Sequence, residues 1–301
     1  GFLCDMFGHN SQMPQILAGF GIKGALVWRG VDAQVGGRFL WQGADGTTLP
    51  AYRFSRNGYC DYTYKVRQSN QPAAVFDVER AERALSGVFA EELERTAPDG
   101  PALVFDGGDH LFPDFEHYAL IRNRIEKSDG DVRVVHGTLD GFLDDLTATR
   151  GSISRTLAGE LREPARWPVG EDSQYLIAGV GSSRVWIKQE NAVCESLLCQ
   201  WAEPFAALAS LALGVEHPDR MLHVAWKWLL QNHPHDSICG CSIDTVHEDM
   251  RYRFSQCRQI AEVIASESLT ALAAAAPGEL EAREMRLALF NPLSCDRDEV
   301  F

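Results

Sequence analysis

The 301-residue sequence predicts an α/β fold: the C-terminal part of a parallel, barrel-like β/α layer, then a three-helix bundle and the first strand of a β-domain. Three observations predict it. Up to about residue 150, short apolar runs alternate with amphipathic stretches of helical period. Beyond about residue 180 the apolar positions recur only at helical spacing. The last stretch, "RLALFNPLS" at 286–294, alternates like a strand and meets a proline.

The elements follow in order. "GALVWRGV" at 24–31, "PALVFDGG" at 101–108 and "VRVVHGTL" at 132–139 read as buried strands, because parallel strands covered on both faces are nearly all apolar. "AERALSGVFAEELERT" at 81–96 and "LDGFLDDLTATR" at 139–150 read as the helices that cover them. Residues 151–180 carry Arg, Gly, Pro and Ser with weak periodicity, as a long loop or domain joint would. Leu197, Leu198, Trp201, Phe205 and Leu208 then form one apolar stripe, despite Pro204. Leu222, Ala225, Trp226, Leu229 and Leu230 form a second. A third runs from Val246 to Ile264, behind a capping box from Thr245 to Glu248. Three such helices bury their stripes best against one another.

Composition narrows the function. Hydrophobic residues make up 45% and charged residues 23%, a globular mixture, and no stretch reads as a bilayer span. A net charge of −14 with no basic stripe argues against a nucleic-acid partner and fits a neutral or cationic small substrate. The eight cysteines form neither a zinc ribbon nor a disulfide framework, so they read as reduced thiols of a cytoplasmic protein. A homo-oligomer is compatible with all of this. Gly1 stands where a complete chain would have Met, and the sequence reads as part of a longer protein.

Three places carry candidate chemistry. Asp5 follows the apolar trio Phe2, Leu3 and Cys4, at a strand end; it reads as a nucleophile or metal ligand, or as the N-cap of the helix around 12–19. In "PALVFDGGDHLFP" a strand ends in Asp106, two glycines, Asp109 and His110. Glycines let a ligand approach the backbone, and two carboxylates beside an imidazole are costly unless solvated, paired or used. "QNHPHDSICGCSIDTVHEDM" places His233, His235 and Asp236 between two helices, with imidazole a favoured zinc ligand. The Cys-Gly-Cys at 239–241 reads more simply as small thiols in a tight turn. A metal held by Asp5 and His235, with Asp5 and Asp109 as a carboxylate pair, would suit cleavage of a glycosidic bond.

Two long stretches, "DMFGHNSQMPQILAGFGIKGALVWRG" and "NHPHDSICGCSIDTVHEDMRYRF", resemble glycoside hydrolase family 38, the zinc-dependent retaining α-mannosidases, in its bacterial-type branch. "SSRVWIKQENAVCESLLCQWAEPFAAL" at 182–208 is similar to the family's helical middle domain, and "LFNPLS" to the start of its C-terminal β-domain. The resemblance implies a partial catalytic domain at 1–172, a helical domain at 173–278 and the start of a β-sandwich at 279–301. It implies that Asp5 is both nucleophile and zinc ligand, that His235 binds zinc, and that Arg29 supports the nucleophile. Asp109 matches the acid/base, with Asp106 as its alternative. The family's further zinc ligands sit in an H-x-D motif near the start of its catalytic domain. This chain begins after that point, so it is expected to hold half a Zn2+ site and to be inactive in isolation. The implied substrate is a terminal α-mannoside. A mannosylglycerate-type hydrolase, a non-catalytic carbohydrate-binding fragment and a metal-dependent deacetylase are the alternatives.

Overall fold

A five-stranded mixed sheet, in the order β1-β2-β4-β3-β5, organises the first part of the chain. The computed structural model describes residues 1–67, 76–96, 100–126, 133–163, 176–278 and 282–298. They divide into two units, Gly1–Ala178 and Gly179–Phe301. The boundary expected after residue 172 lies outside the described residues.

In the first unit, β1 (Phe2–Leu3), β2 (Ala25–Val27) and β4 (Thr48–Arg53) run parallel. β3 (Arg38–Gln42) is antiparallel to β4 and parallel to β5 (Thr156–Ala158). The sheet is therefore mixed where an all-parallel one was expected. The antiparallel pair arises because β3 and β4 are joined by a short turn, Gly43–Thr47, which a parallel crossover could not use. Both faces are covered. Ala25, Val27, Phe39, Trp41 and Ala51 pack with Leu17 on one side, and Leu26, Tyr52 and Phe54 with Leu146 on the other. That is why β2 is apolar at every position.

The helices α1 (Met13–Gly19), α2 (Val78–Thr96), α3 (Phe115–Glu126) and α4 (Leu139–Ala148) accompany the sheet. α2 and α4 occupy the stretches where helices were expected. A buried polar network ties α2 to β4. Tyr52 donates its hydroxyl proton to Glu92, Arg95 pairs with Glu92 at 2.7 Å, and Arg95 Nη2 donates to the Arg53 carbonyl at 2.6 Å. Burial pushes the Glu92 carboxyl up, against the pull of Arg95.

Two expected strands are absent among the described residues. Residues 101–108 form no ladder. Leu103 instead uses its backbone N–H on the Tyr52 hydroxyl at 3.2 Å, and its side chain and Phe105 pack beside Tyr52 and Phe54. The 132–139 run is irregular over 133–138, and Val135 is exposed, so its apolar sequence does not mark a buried strand. Residue 132 lies outside the described residues.

The second unit is helical: α5 (Val185–Ser196), α6 (Glu203–Leu213), α7 (Asp219–Leu230), the single turn α8 (His235–Ile238) and α9 (Asp244–Ala274). One core joins them: Ile187, Cys194, Leu198, Leu222, Leu229, Met250, Phe254 and Ile264 all pack together. The first expected stripe spans more than one element. A π-helical segment, Leu197–Ala202, links α5 to α6 just before Pro204. Proline has no N–H for an i→i−4 bond, so the ladder re-forms with wider rings there. This run, Val185–Leu213, is long and apolar enough to cross a membrane by length and composition, contrary to the sequence reading. Its buried side chains nonetheless belong to the core shared with α7 and α9.

The capping box at Thr245 does not form. α9 starts one residue earlier, with Ile243 as N-cap, and Asp244 pairs with Arg184 at 2.7 Å. Nor do residues 286–294 form a strand: Leu287 and Leu289 are exposed, and Arg286 donates to the carbonyls of Ala276 and Gly278 just past α9.

Candidate active site

Asp5 lies two residues past β1, and Arg29 two residues past the adjacent strand β2. The parallel register of these strands, Leu3 beside Val27, brings the two side chains together. Arg29 donates to Asp5 Oδ1 from Nε at 2.9 Å and from Nη2 at 2.6 Å. Its guanidinium sits 4.1 Å from the Trp28 ring and 4.8 Å from the Phe7 ring. Packing between aromatic faces makes the cation a fixed support, because an arginine so placed loses little further freedom on pairing. Asp5 is not a helix cap: α1 is capped at Gln12, whose N–H is satisfied by Asn10 Oδ1 at 2.9 Å.

Asp109 reaches the same place by another route. A cleft of about 400 Å³ is lined by Asp5, Trp28, Arg29, Arg56, Asn57, Tyr59, Cys60, Tyr64 and Asp109. Asp109 is in an irregular loop, not at a strand end, and side chains of residues 59–67 clamp that loop. Tyr59 donates to Asp109 Oδ1 at 3.1 Å, Thr63 donates to the Gly107 carbonyl, and Arg67 donates to the Phe112 carbonyl at 3.3 Å. Asp106 is engaged elsewhere, in a 2.5 Å ion pair with Arg67. Burial, then the negative field of Asp5 and Asp109, pushes the Tyr59 phenol up, which keeps it a proton donor.

The stretch "SRNGYCDY" at 55–62 was not singled out in the sequence, yet it supplies four lining residues, Arg56, Asn57, Tyr59 and Cys60. Its signal was the Asn-Gly pair, a turn marker. The turn closes with Gly58 N donating to the Ser55 carbonyl at 3.0 Å. Gly58 has φ +61, and a Cβ there would meet the Trp28 ring at 2.4 Å. Only glycine allows both the backbone and the contact.

His235 is in the second unit. It opens α8 after Pro234 and is half-buried, with Nε2 3.9 Å from Asp236 Oδ1. Its neighbour His233 is held by Asn191 Oδ1 at 2.8 Å, and burial pushes its imidazole down. Cys241 Sγ lies 3.3 Å from Asp236 Oδ1. Among the described residues, no three His, Cys, Asp or Glu side chains gather as a metal site. Asp5 and His235 have suitable donor chemistry but are two donors, and zinc takes four ligands, so the described residues do not form a zinc centre by themselves.

With this geometry in place, similarity to known proteins is informative. A profile described as "Glycosyl hydrolases family 38 N-terminal domain" matches residues 1–162, and "Alpha mannosidase middle domain" matches residues 176–272. A "Putative mannosylglycerate hydrolase" of Halalkalibacterium halodurans is 28% identical over 274 residues, covering 85% of this chain and 28% of that protein. Human "Alpha-mannosidase 2C1" is 25% identical over 285 residues, covering 92% of this chain and 24% of that protein. Among solved structures, an alpha-mannosidase from Enterococcus faecalis V583 superposes with a TM-score of 0.74 at 29% identity, covering 91% of this chain and 30% of that one. The chain thus spans about a quarter of the length of these curated relatives. A matched domain over more than half of its residues decides the family: the chain belongs to glycosyl hydrolase family 38.

Proposed function

We propose that this chain carries the reacting carboxylates of a retaining α-mannosidase, with Asp5 as nucleophile and Asp109 as acid/base. The observation that carries the reading is that both carboxylates line one cleft, each beside a different kind of donor. Asp5 meets Arg29 through Oδ1, and Asp109 meets the neutral donor Tyr59. Asp106, closed in its ion pair, is the weaker candidate.

In the proposed reaction, Asp109 gives a proton to the departing glycosidic oxygen while Asp5 attacks the anomeric carbon. The C–O bond to the leaving group breaks and a mannosyl ester of Asp5 forms. Asp109, now ionised, takes a proton from water, which attacks the same carbon and frees Asp5. Two inversions return the α configuration. Arg29 holds Asp5 in place between turnovers. Zinc dependence belongs to the same reading, with Asp5 and His235 as proposed ligands and the remaining donors from outside the described residues. When bound, such a metal supplies charge stabilisation and orientation of sugar hydroxyls.

The similarity to a putative mannosylglycerate hydrolase favours, as a second reading, an aglycone that is a hydroxy acid. A non-catalytic carbohydrate-binding role would leave both carboxylates in place without turnover. One experiment tests the function: incubate the full-length protein with an aryl α-mannoside and follow the first-formed sugar by NMR, with metal content measured alongside. Release of α-mannose, lost on chelation, is expected. Release of β-mannose would reject the retaining mechanism, no release would reject the hydrolase, and chelator-resistant turnover would reject zinc.

A further inference from the structure

Arg67 braces both ends of the loop that carries Asp109. That loop, residues 106–112, has no helix or strand and begins with Asp106 and two adjacent glycines. Its His110 is left-handed, with φ +56, a conformation that residues other than glycine take uncommonly. Such a segment does not hold a side chain in place by its own backbone preferences, because glycine has the most conformational freedom to lose. The flanks are fixed. Leu103 donates its N–H to the Tyr52 hydroxyl at 3.2 Å, and Asp114 accepts from the N–H groups of Glu116 and His117 at 3.1 and 3.0 Å, where α3 starts. The stretch between them is held from outside.

One helical run does the holding. Residues 58–67 are helical throughout and end in the π-helical segment Thr63–Arg67. Tyr59, Thr63 and Arg67 recur at every fourth position, a spacing that puts side chains on one face of a helix. Tyr59 donates to Asp109 Oδ1 at 3.1 Å, and Thr63 donates to the Gly107 carbonyl. Arg67 takes both ends: Nη2 pairs with Asp106 Oδ2 at 2.5 Å, and Nη1 donates to the Phe112 carbonyl at 3.3 Å. A planar guanidinium presents donors in a fixed fork, so the two contacts set a distance and an angle together. The Arg67 side chain is 11% exposed, which separates this pair from a solvated surface contact. Arg67 itself is not among the residues that line the cleft.

We propose that Arg67 is a positioning residue for the acid/base: by bracing Asp106 and Phe112 it sets where the Asp109 carboxyl stands, without touching the substrate. This rests on the reading of Asp109 as acid/base given above. It also gives Asp106 a part in the site, as the anchor of the loop and not as the proton donor. Without the brace, Asp109 is present but misplaced, and a shift of about 1 Å is enough to forfeit much of the advantage of a positioned group.

The test measures kcat/KM of the full-length protein on two aryl α-mannosides, one with a poor leaving group and one with dinitrophenolate, which departs without a proton. Wild type, Arg67→Ala, Asp109→Asn and the double variant are compared. Arg67→Ala should lose roughly 10–100-fold on the poor leaving group and less than about threefold on the dinitrophenyl substrate, whose turnover also reports a folded site. In the Asp109→Asn background, Arg67→Ala should cost almost nothing more on the poor leaving group, because the group it positions is gone. Arg67→Lys keeps the charge but not the fork, and should fall between wild type and Arg67→Ala with the same dependence on the leaving group. Equal losses on both substrates, losses that multiply in the double variant, or no loss at all would overturn the proposal and leave Arg67 a merely structural residue. Should Arg67→Ala fail to fold, Arg67→Lys with and without Asp109→Asn carries the same comparison. If Asp109→Asn itself shows no dependence on the leaving group, the acid/base reading fails, and the proposal falls with it.

Discussion

Arg29 and Tyr59 define the two carboxylates chemically: one is held by a cation and the other by a neutral donor. That asymmetry predicts distinct mutant behaviour. Asp109→Asn should lower kcat/KM on a poor leaving group by roughly 10²–10⁴, the contribution of general acid catalysis. Its effect on a dinitrophenyl α-mannoside should be much smaller, and azide should rescue turnover as α-mannosyl azide. Equal losses on both leaving groups would show that Asp109 is not the proton donor. His9 allows a prediction about stability. It is 5% exposed, its Nε2 has no hydrogen-bond partner among the described residues, and burial pushes its imidazole down to about 4. The unfolded chain therefore binds more protons between about 4 and the ordinary value of 6.5. Its stabilising contribution is complete above pH 6.5 and is lost as the pH falls to about 4, an effect of about 3 kcal/mol. Urea midpoints of His9→Asn should fall less steeply over that range than those of the wild type; parallel curves would contradict it. Asp5 stood out in the sequence because a short apolar run ends at it, and Arg29 only through the resemblance of its motif to the family. Arg56 and Tyr59 did not, because a turn shows no period, and what they face is decided by Trp28, thirty residues away.

Elements follow the same logic. The helices α2, α4, α7 and α9 were readable because a stripe of apolar residues has few alternatives to a helix. The runs at 101–108 and 133–138 misled because apolar content says nothing of whether a ladder partner exists. Leu103 finds a tyrosine hydroxyl in place of a strand. That hydroxyl also serves Glu92, so the Tyr52–Glu92–Arg95 network holds a loop and a helix to β4 together. Glu92→Ala leaves the Arg95 charge and the Tyr52 hydroxyl without their carboxylate and should cost roughly 3–5 kcal/mol. A thermal midpoint within a degree of the wild type would contradict that role. Gly58→Ala should also destabilise, by roughly 1–3 kcal/mol from overpacking against Trp28, and should weaken substrate binding by displacing the 55–60 turn. Unchanged stability and KM would show that the turn is not held by that contact.

At the scale of the molecule, the first unit brings the two candidate carboxylates into one cleft, while His235 belongs to the second. Family membership was readable from long motifs in order, since such motifs keep the residues of a site even where their spacing explains nothing locally. The completeness of a metal site was not readable, because ligand sets are assembled across distant stretches of chain. His235→Ala in the full-length protein should lower both zinc content and activity; full zinc occupancy would remove His235 from the ligand set. The central claim, however, is that Asp5 attacks the sugar, and it can be tested directly. The full-length protein is treated with a 5-fluoro glycosyl fluoride of mannose configuration, digested and mapped by mass spectrometry. The account predicts a fluorosugar ester on Asp5. A label on Asp109, Asp106 or any other carboxylate, or steady turnover of the reagent with no trapped ester, would contradict it.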